Sequence, residues 1–193
     1  AIYTYSSSNG WSDTSVVNLS SQAISVFAPG GNIFICTYQL QTGNGDYRLF
    51  YFDGSSTSEV DITVLSSNTG TGFWNEPFNS AAQYGGEFWF STGKKVVKSA
   101  SAGGAVAEVS FGTLVDATVS SLASTATALF AVDAGGNLYS TTGTSFSKTG
   151  TTEASFSSLT YVLAGGKDLL IAGSPEGYYE YDTSESDGIF INA

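Results

Sequence analysis

The chain has 193 residues, 41% of them hydrophobic and 14% aromatic, enough for one sizeable core despite its abundant Ser, Thr and Gly. Six Lys and Arg stand against 17 Asp and Glu, and the formal net charge of -11 repels phosphate backbones and anionic lipid, so nucleic acid is excluded as a natural partner. There is no histidine, which removes Ser-His-Asp and Cys-His nucleophiles and His-ligated metals.

Three Pro and 23 Gly, set among short Val, Ile, Tyr and Phe runs, predict strands joined by tight turns and almost no helix. No run reaches the ~20 apolar residues of a membrane span, so no membrane insertion is expected. The chain starts at Ala1 without the basic and apolar regions of a signal peptide, and reads as a processed or excised segment. Its Ser, Thr, Gly and Asn content, with few Lys, points to an extracellular or cell-surface setting.

In chain order, residues 1–18 ("IYTYSSSNGWSDTSVV" within them) read as a partial unit of two strands with a turn at Asn9-Gly10. A faint repeat follows, marked by an apolar residue, a small polar one and Ser: "LSSQ" at 19, "FNSA" at 78, "VSSL" at 119 and "FSSL" at 156. The intervals are 59, 41 and 37 residues. The units are therefore 19–77, 78–118, 119–155 and 156–193.

After each marker comes a second apolar strand: "NIFICTY" from 32, "EFWFST" from 87, "ALFAVD" from 128 and "DLLIAG" from 168. A third follows in "YRLFYFD" from 47, "KVVKSA" from 95, "NLYSTT" from 137 and "GYYEYD" from 177. A more polar fourth closes the unit, as in "SEVDITV" from 58 and "AVAEVSF" from 105. Gly30-Gly31, Gly85-Gly86 and Gly165-Gly166 fall between first and second strands, and Gly135-Gly136 between second and third.

Four hairpin-connected strands in about 40 residues make an up-and-down sheet, and radial stacking of such sheets makes a propeller. The expected fold is thus all-β, a β-propeller-like array of four to five four-stranded blades forming one domain, possibly part of a larger propeller. A β-sandwich or solenoid fits the same strand spacing. The long first unit is attributed to two inserted loops, 39–46 and 66–77.

Ser66, Asn68, Gly70 and Phe73 resemble the Ser-x-Asp-x-Gly-x-x-Trp hairpin of BNR or Asp-box propeller repeats, with Asn for Asp and Phe for Trp. Residues 139–146 ("YSTTGTSF") are one residue short of that pattern, and "SSSNGW" ending at Trp11 is looser. The resemblance implies a propeller in which the motif is a folding device on the blade edge, and it carries over no catalytic residues. Sialidases of this fold clamp a carboxylate with several arginines, and propeller lectins for fucose use an Arg at each site. This chain has Arg48 alone.

A glycosidase needs two facing carboxylates roughly 5 to 10 Å apart. Asp46, Asp53, Glu59, Asp61, Glu76, Asp133, Asp168 and Glu180 are among the dispersed candidates, and none is singled out by spacing. The "YDTSESDG" stretch at 181–188 departs from an EF-hand loop at its sixth position, so no metal and no cofactor are assigned. Lys94 and Lys98, with Val96 between, read as protection of an edge strand. Cys36, flanked by apolar neighbours, reads as a buried strand thiol, with a reactive or intermolecular thiol as the alternative.

The positive signal is aromatic. Trp74 and Phe73 lie in the second inserted loop, Trp11 at a hairpin tip and Asn44 in the first insertion. These four are the candidate ligand contacts of a non-enzymatic recognition module for a protein or glycan. The alternatives are a carbohydrate-active enzyme using paired carboxylates, or a structural subunit of a surface or fibre assembly that self-associates.

Overall fold

The computed structural model describes residues 3–13, 22–41, 44–65, 74–111, 117–152, 154–183 and 191–192. Among them every regular element is a strand apart from two 3-10 turns, at Pro29–Gly31 and Thr63–Leu65.

The chain opens with a hairpin of β1 (Tyr3–Ser6) and β2 (Gly10–Asp13). Four antiparallel meanders follow. The first holds β3 (Gln22–Phe27), β4 (Ile33–Gln41), β5 (Asn44–Phe52) and β6 (Thr57–Glu59). The second holds β7 (Phe78–Tyr84), β8 (Glu87–Thr92), β9 (Lys95–Ser99) and β10 (Ala107–Phe111). The third runs through β11 (Val119–Ser124), β12 (Leu129–Asp133), β13 (Asn137–Thr141) and β14 (Ser145–Thr151). The fourth is β15 (Ser158–Ala164), β16 (Lys167–Ser174), β17 (Gly177–Asp182) and β18 (Ile191–Asn192).

Alternation along each strand sends side chains to both sheet faces, and both faces are greasy. Three apolar clusters result, each between successive meanders. Phe34, Cys36 and Leu49 of the first meet Phe78, Phe88, Phe90 and Val97 of the second. The other face of the second meander, with Trp89 and Val96, meets Val119, Leu129 and Ala131 of the third. Phe130, Val132 and Leu138 then meet Phe156, Leu170 and Tyr181 of the fourth. Trp89 is fully buried, donates its indole N–H to the Tyr84 carbonyl at 3.1 Å and lies edge-on to Phe146. Burying such a side chain stabilises by about 3 kcal/mol.

The marker residues earn their repetition at these interfaces. In β7 the bulge lies between Phe78 and Ser80, and in β11 between Val119 and Ser121, so Asn79 and Ser120 are the extra residues. Each reaches the next meander: Asn79 Nδ2 donates to the Val119 carbonyl (3.2 Å) and Ser120 Oγ to the Phe156 carbonyl (2.6 Å). Behind them, the Leu122 N–H donates to Ser80 Oγ at 3.1 Å. The first strands β7, β11 and β15 are thereby held side by side.

Several expectations are corrected. The marker expected at 19 falls outside the described residues up to Ser21, and the first bulge lies instead between Ala23 and Ser25. There the extra residue is Ile24, whose side chain cannot hydrogen bond, and Ser25 Oγ donates instead to the Phe78 carbonyl at 3.4 Å. The insertion expected at 39–46 is not an irregular loop, because β4 and β5 stay in register out to Gln41 and Asn44. The fourth strand expected from 58 is only Thr57–Glu59; beyond it Val60, Ile62 and Leu65 are buried around a 3-10 turn.

The second and third meanders do not stay separate as blades. β10 and β14 pair in parallel at Ser110↔Ser145 and Phe111↔Phe146, joining them into one eight-stranded sheet. Stacking of the Phe111 and Phe146 rings at 4.6 Å draws these outer strands together. β9 is accordingly an interior strand, and its lysines guard no edge. Lys98 Nζ contacts Glu87 and the Gly143 carbonyl of the next meander, while Lys95 pairs with Glu108.

The Gly-Gly corners differ in what they need. Gly85-Gly86 and Gly165-Gly166 have φ of +62°/+81° and +59°/+80°, the type I′ geometry of a two-residue hairpin, with open space around both positions. Gly136 has φ of +79°, and a Cβ there would lie 2.2 Å from the Ala154 carbonyl oxygen. That corner requires glycine twice over.

Candidate functional site

A concave mouth of about 490 Å³ opens where the first strands converge. It is lined by Pro29 and Gly30 after β3 and by three consecutive residues from each of β7, β11 and β15: 81–83, 122–124 and 159–161. In the repeat register these triplets correspond, since each lies three to five residues beyond the start of its marker at 78, 119 or 156. In β7 and β11 a bulge sets the phase of the strand, and β15 keeps the same offset from its marker, so matching residues are placed around one centre.

The lining carries no charged side chain. Leu122, Leu159, Ala82 and Ala123 form a buried floor, and Gln83, Ser124, Thr160 and Tyr161 supply the polar groups. Gln83 leans over Gly30, whose missing side chain leaves it room: a Cβ there would sit 1.7 Å from Gln83 Oε1. The Tyr161 hydroxyl donates to Asp168, and that bond holds the phenol above its ordinary pKa. Such a surface can hydrogen bond and make apolar contact, but offers no ion pair from its own lining.

The four residues expected as ligand contacts are not all on this mouth. Trp74 is half-buried away from it: its carbonyl accepts from the Tyr47 N–H at 2.8 Å and its indole N–H donates to Thr92 Oγ1. Lys95 Nζ stands 5.7 Å above its ring. Burial, with smaller contributions from Tyr38, Cys36 and Glu76, raises the neighbouring Tyr47 phenol. Trp11 lies in β2 opposite Tyr5, and Asn44 begins β5 opposite Gln41. Phe73 lies outside the described residues, as do Ser66, Asn68 and Gly70.

Among the acidic candidates, two are buried. Asp133 accepts hydrogen bonds from the Gly135 and Asn137 N–H groups (both 2.9 Å), the Asn137 amide and the Tyr139 hydroxyl, and thereby caps the Gly135-Gly136 corner. Asp46 accepts from Arg48 Nε at 2.7 Å, and Arg48 also approaches Glu59 at 3.5 Å. The guanidinium thus bridges these two carboxylates, and the hydrogen bond to Asp46, helped by the charges of Asp46 and Glu59, raises its own pKa. Asp53 and Asp61 are exposed turn residues whose carboxyls are held low by backbone and hydroxyl hydrogen bonds from Ser55, Ser56 and Thr63. Among the described residues no group of three His, Cys, Asp or Glu is placed to hold a metal. Nor is any helix there long and apolar enough to cross a membrane. Cys36 is fully buried and its thiol is pushed up by burial.

No family model matches the chain, and no curated protein does. Solved structures do. The extracellular domain of the hybrid two component system BT4673 from B. thetaiotaomicron superposes with a TM-score of 0.60 at 13% identity, over 92% of this chain and 22% of that one. The structure described as YCF48 bound to D1 peptide gives a TM-score of 0.61 at 12% identity, over 91% of this chain and 56% of that one. The chain therefore spans about a fifth and about half the length of these two neighbours. Both are β-propeller-like, and neither brings evidence of an Asp-box motif. The chain is similar to them in fold: it is all-β and propeller-like.

Proposed function

We propose that the chain is a non-enzymatic recognition module, built from propeller blades and working outside the cell or on its surface, that binds a protein or glycan segment. One observation carries this reading: an uncharged, concave mouth assembled from equivalent residues of three successive first strands. Rigid strands hold its hydrogen-bonding groups over an apolar floor, which lowers the ordering cost of binding. A neutral extended peptide or a sugar suits that lining better than a phosphate or carboxylate does. Trp74, Phe73, Trp11 and Asn44 form a second set of contacts in this reading.

The neighbours support the class of partner without specifying it. One is solved with a peptide bound and another is an extracellular domain, descriptions that belong to those proteins. The test is a screen of the chain against neutral glycans and extended peptides, followed by titration calorimetry of any hit. The reading expects affinity that is insensitive to salt and is lost in Thr160→Trp, which fills the mouth. Binding untouched by Thr160→Trp but lost in Trp74→Ala would move the site to the loop aromatics, and turnover of a glycoside would overturn the reading.

A further inference from the structure

β7 and β11 are the two ends of the eight-stranded sheet and β15 is an end of its own, so each brings an unpaired edge to the mouth. The register decides which peptide groups those edges offer. The Gly85-Gly86 hairpin closes on Tyr84↔Glu87, a pair that in a two-residue turn exchanges both of its main-chain bonds. Bonded and non-bonded pairs alternate from there, so Ala82 points its N–H and C=O at Trp89, while Ala81 and Gln83 turn theirs away from the sheet. Gly165-Gly166 sets the same phase in β15, where Leu159 and Tyr161 are the outward residues. In β11 the Thr125 N–H donates to the Ala128 carbonyl, which makes Leu122 and Ser124 the outward ones.

Two outward groups reveal this phase by their partners. The Leu122 N–H donates to Ser80 Oγ at 3.1 Å, and the Leu159 carbonyl accepts from Ser121 Oγ at 3.4 Å. β11 and β15 each commit one outward group to the preceding meander in this way. Among the described residues no side chain of another meander reaches the outward peptide groups of Ala81 or Gln83, so β7 keeps an unbroken main-chain edge on the mouth.

A row of main-chain donors and acceptors repeating every second residue is the surface that an extended peptide pairs with. The small side chains of Ala81, Ala82 and Ala123 leave space for a second backbone to come close. Side chains suited to reading a sugar are fewer: Gln83, Ser124 and Thr160 supply them, and the Tyr161 hydroxyl is already given to Asp168. The lining holds no charge for an ionic side chain to meet.

We infer that the occupant of the mouth is an uncharged peptide in extended conformation, added along the β7 edge and exchanging main-chain hydrogen bonds with Ala81 and Gln83, a partner class that depends on the mouth being the site of binding. The peptide is recognised through its backbone, and its side chains matter through size and neutrality.

The test starts from arrays of uncharged ten-residue peptides and neutral glycans, followed by calorimetry with the tightest peptide and its singly N-methylated derivatives. Peptides are expected to bind, and N-methylation to weaken binding about tenfold at alternate positions of the paired stretch while leaving those between unchanged. Gln83→Pro removes an N–H that the sheet does not use, which an edge strand tolerates, and should bind about tenfold more weakly than Gln83→Ala, with circular dichroism confirming the fold of both. N-methylation without this alternation overturns the inference even if Gln83→Pro fails to fold. Binding of glycans alone, lost in Thr160→Trp, overturns the peptide and keeps the mouth as the site. Peptide binding untouched by Thr160→Trp overturns the mouth and the peptide on it together, and retention of no probe of either kind does the same.

Discussion

Two glycines with the same backbone angle provide a sharp test of how the third and fourth meanders are joined. Gly136 and Gly166 have φ of +79° and +80°, so replacing either with Ala imposes a similar left-handed penalty of about 1–2 kcal/mol. The surroundings differ. Around Gly166 there is open space, whereas a Cβ on Gly136 lies 2.2 Å from the Ala154 carbonyl oxygen and 2.6 Å from that of Thr152. Both obstacles are backbone, Ala154 is buried in the third apolar cluster, and Thr152 donates its N–H to the Gly136 carbonyl at 2.8 Å. Relief needs a shift of about 1 Å in a packed segment, and overpacking of this kind costs roughly 1–3 kcal/mol beyond the angular penalty. Gly136→Ala should therefore be less stable than Gly166→Ala by about 2 kcal/mol. With a urea slope of about 2 kcal/mol per molar, the midpoints separate by roughly 1 M. Equal midpoints would refute the close approach at Gly136.

Asp133→Ala removes an acceptor shared by the Gly135 and Asn137 N–H groups, the Asn137 amide and Tyr139, and should cost about 2–4 kcal/mol in urea unfolding, against about 1 for Tyr139→Phe. Asp53 is hydrogen-bonded by Ser55 and Ser56, which lowers its folded pKa below the unfolded value of about 3.9. Its stabilising contribution is therefore present above that value and fades as pH falls towards the folded one, so the deficit of Asp53→Ala seen at neutral pH should shrink in acid. A deficit that is constant with pH would show that the carboxylate charge is irrelevant to the turn. Cys36, fully buried with a raised thiol pKa, should react with a thiol reagent only as fast as the chain unfolds.

The strands and their hairpins were legible in the sequence because alternation and Gly corners are local signals. "FNSA" and "VSSL" marked the phase of two meanders, since a bulged Asn or Ser that bonds to the next sheet leaves a readable trace, and "FSSL" keeps the same offset without a bulge. The first meander hid its phase: Ile24, an aliphatic residue outside the marker pattern, holds the bulge, and "LSSQ" lies outside the described residues up to Ser21. The parallel join of β10 to β14 depends on Phe111 meeting Phe146, a pairing 35 residues apart that no local window reveals.

The candidate site was legible only in retrospect. The mouth residues follow each marker at a constant offset, but Ala, Ser, Thr and Leu carry no chemical signature of their own. Aromatic residues carry the stronger local signal. Trp74 lies in a stretch read as an inserted loop, yet its carbonyl and indole N–H are tied to Tyr47 of the first meander and Thr92 of the second, partners far away in sequence. Asp46 and Asp133 resembled ordinary surface carboxylates, and only tertiary context buries them with their donors.

The first strands of successive meanders lie against one another around a shared centre. Solution NMR reads this directly from the side-chain amide of Asn79 and the backbone amide of Leu122, which bond to Val119 and Ser80 on neighbouring strands. Nuclear Overhauser contacts from the Asn79 amide to Val119, with slow exchange at Leu122 that Ser80→Ala accelerates, are the predicted result. Marker segments that share no contacts, with Leu122 exchange unaffected by Ser80→Ala, would contradict it.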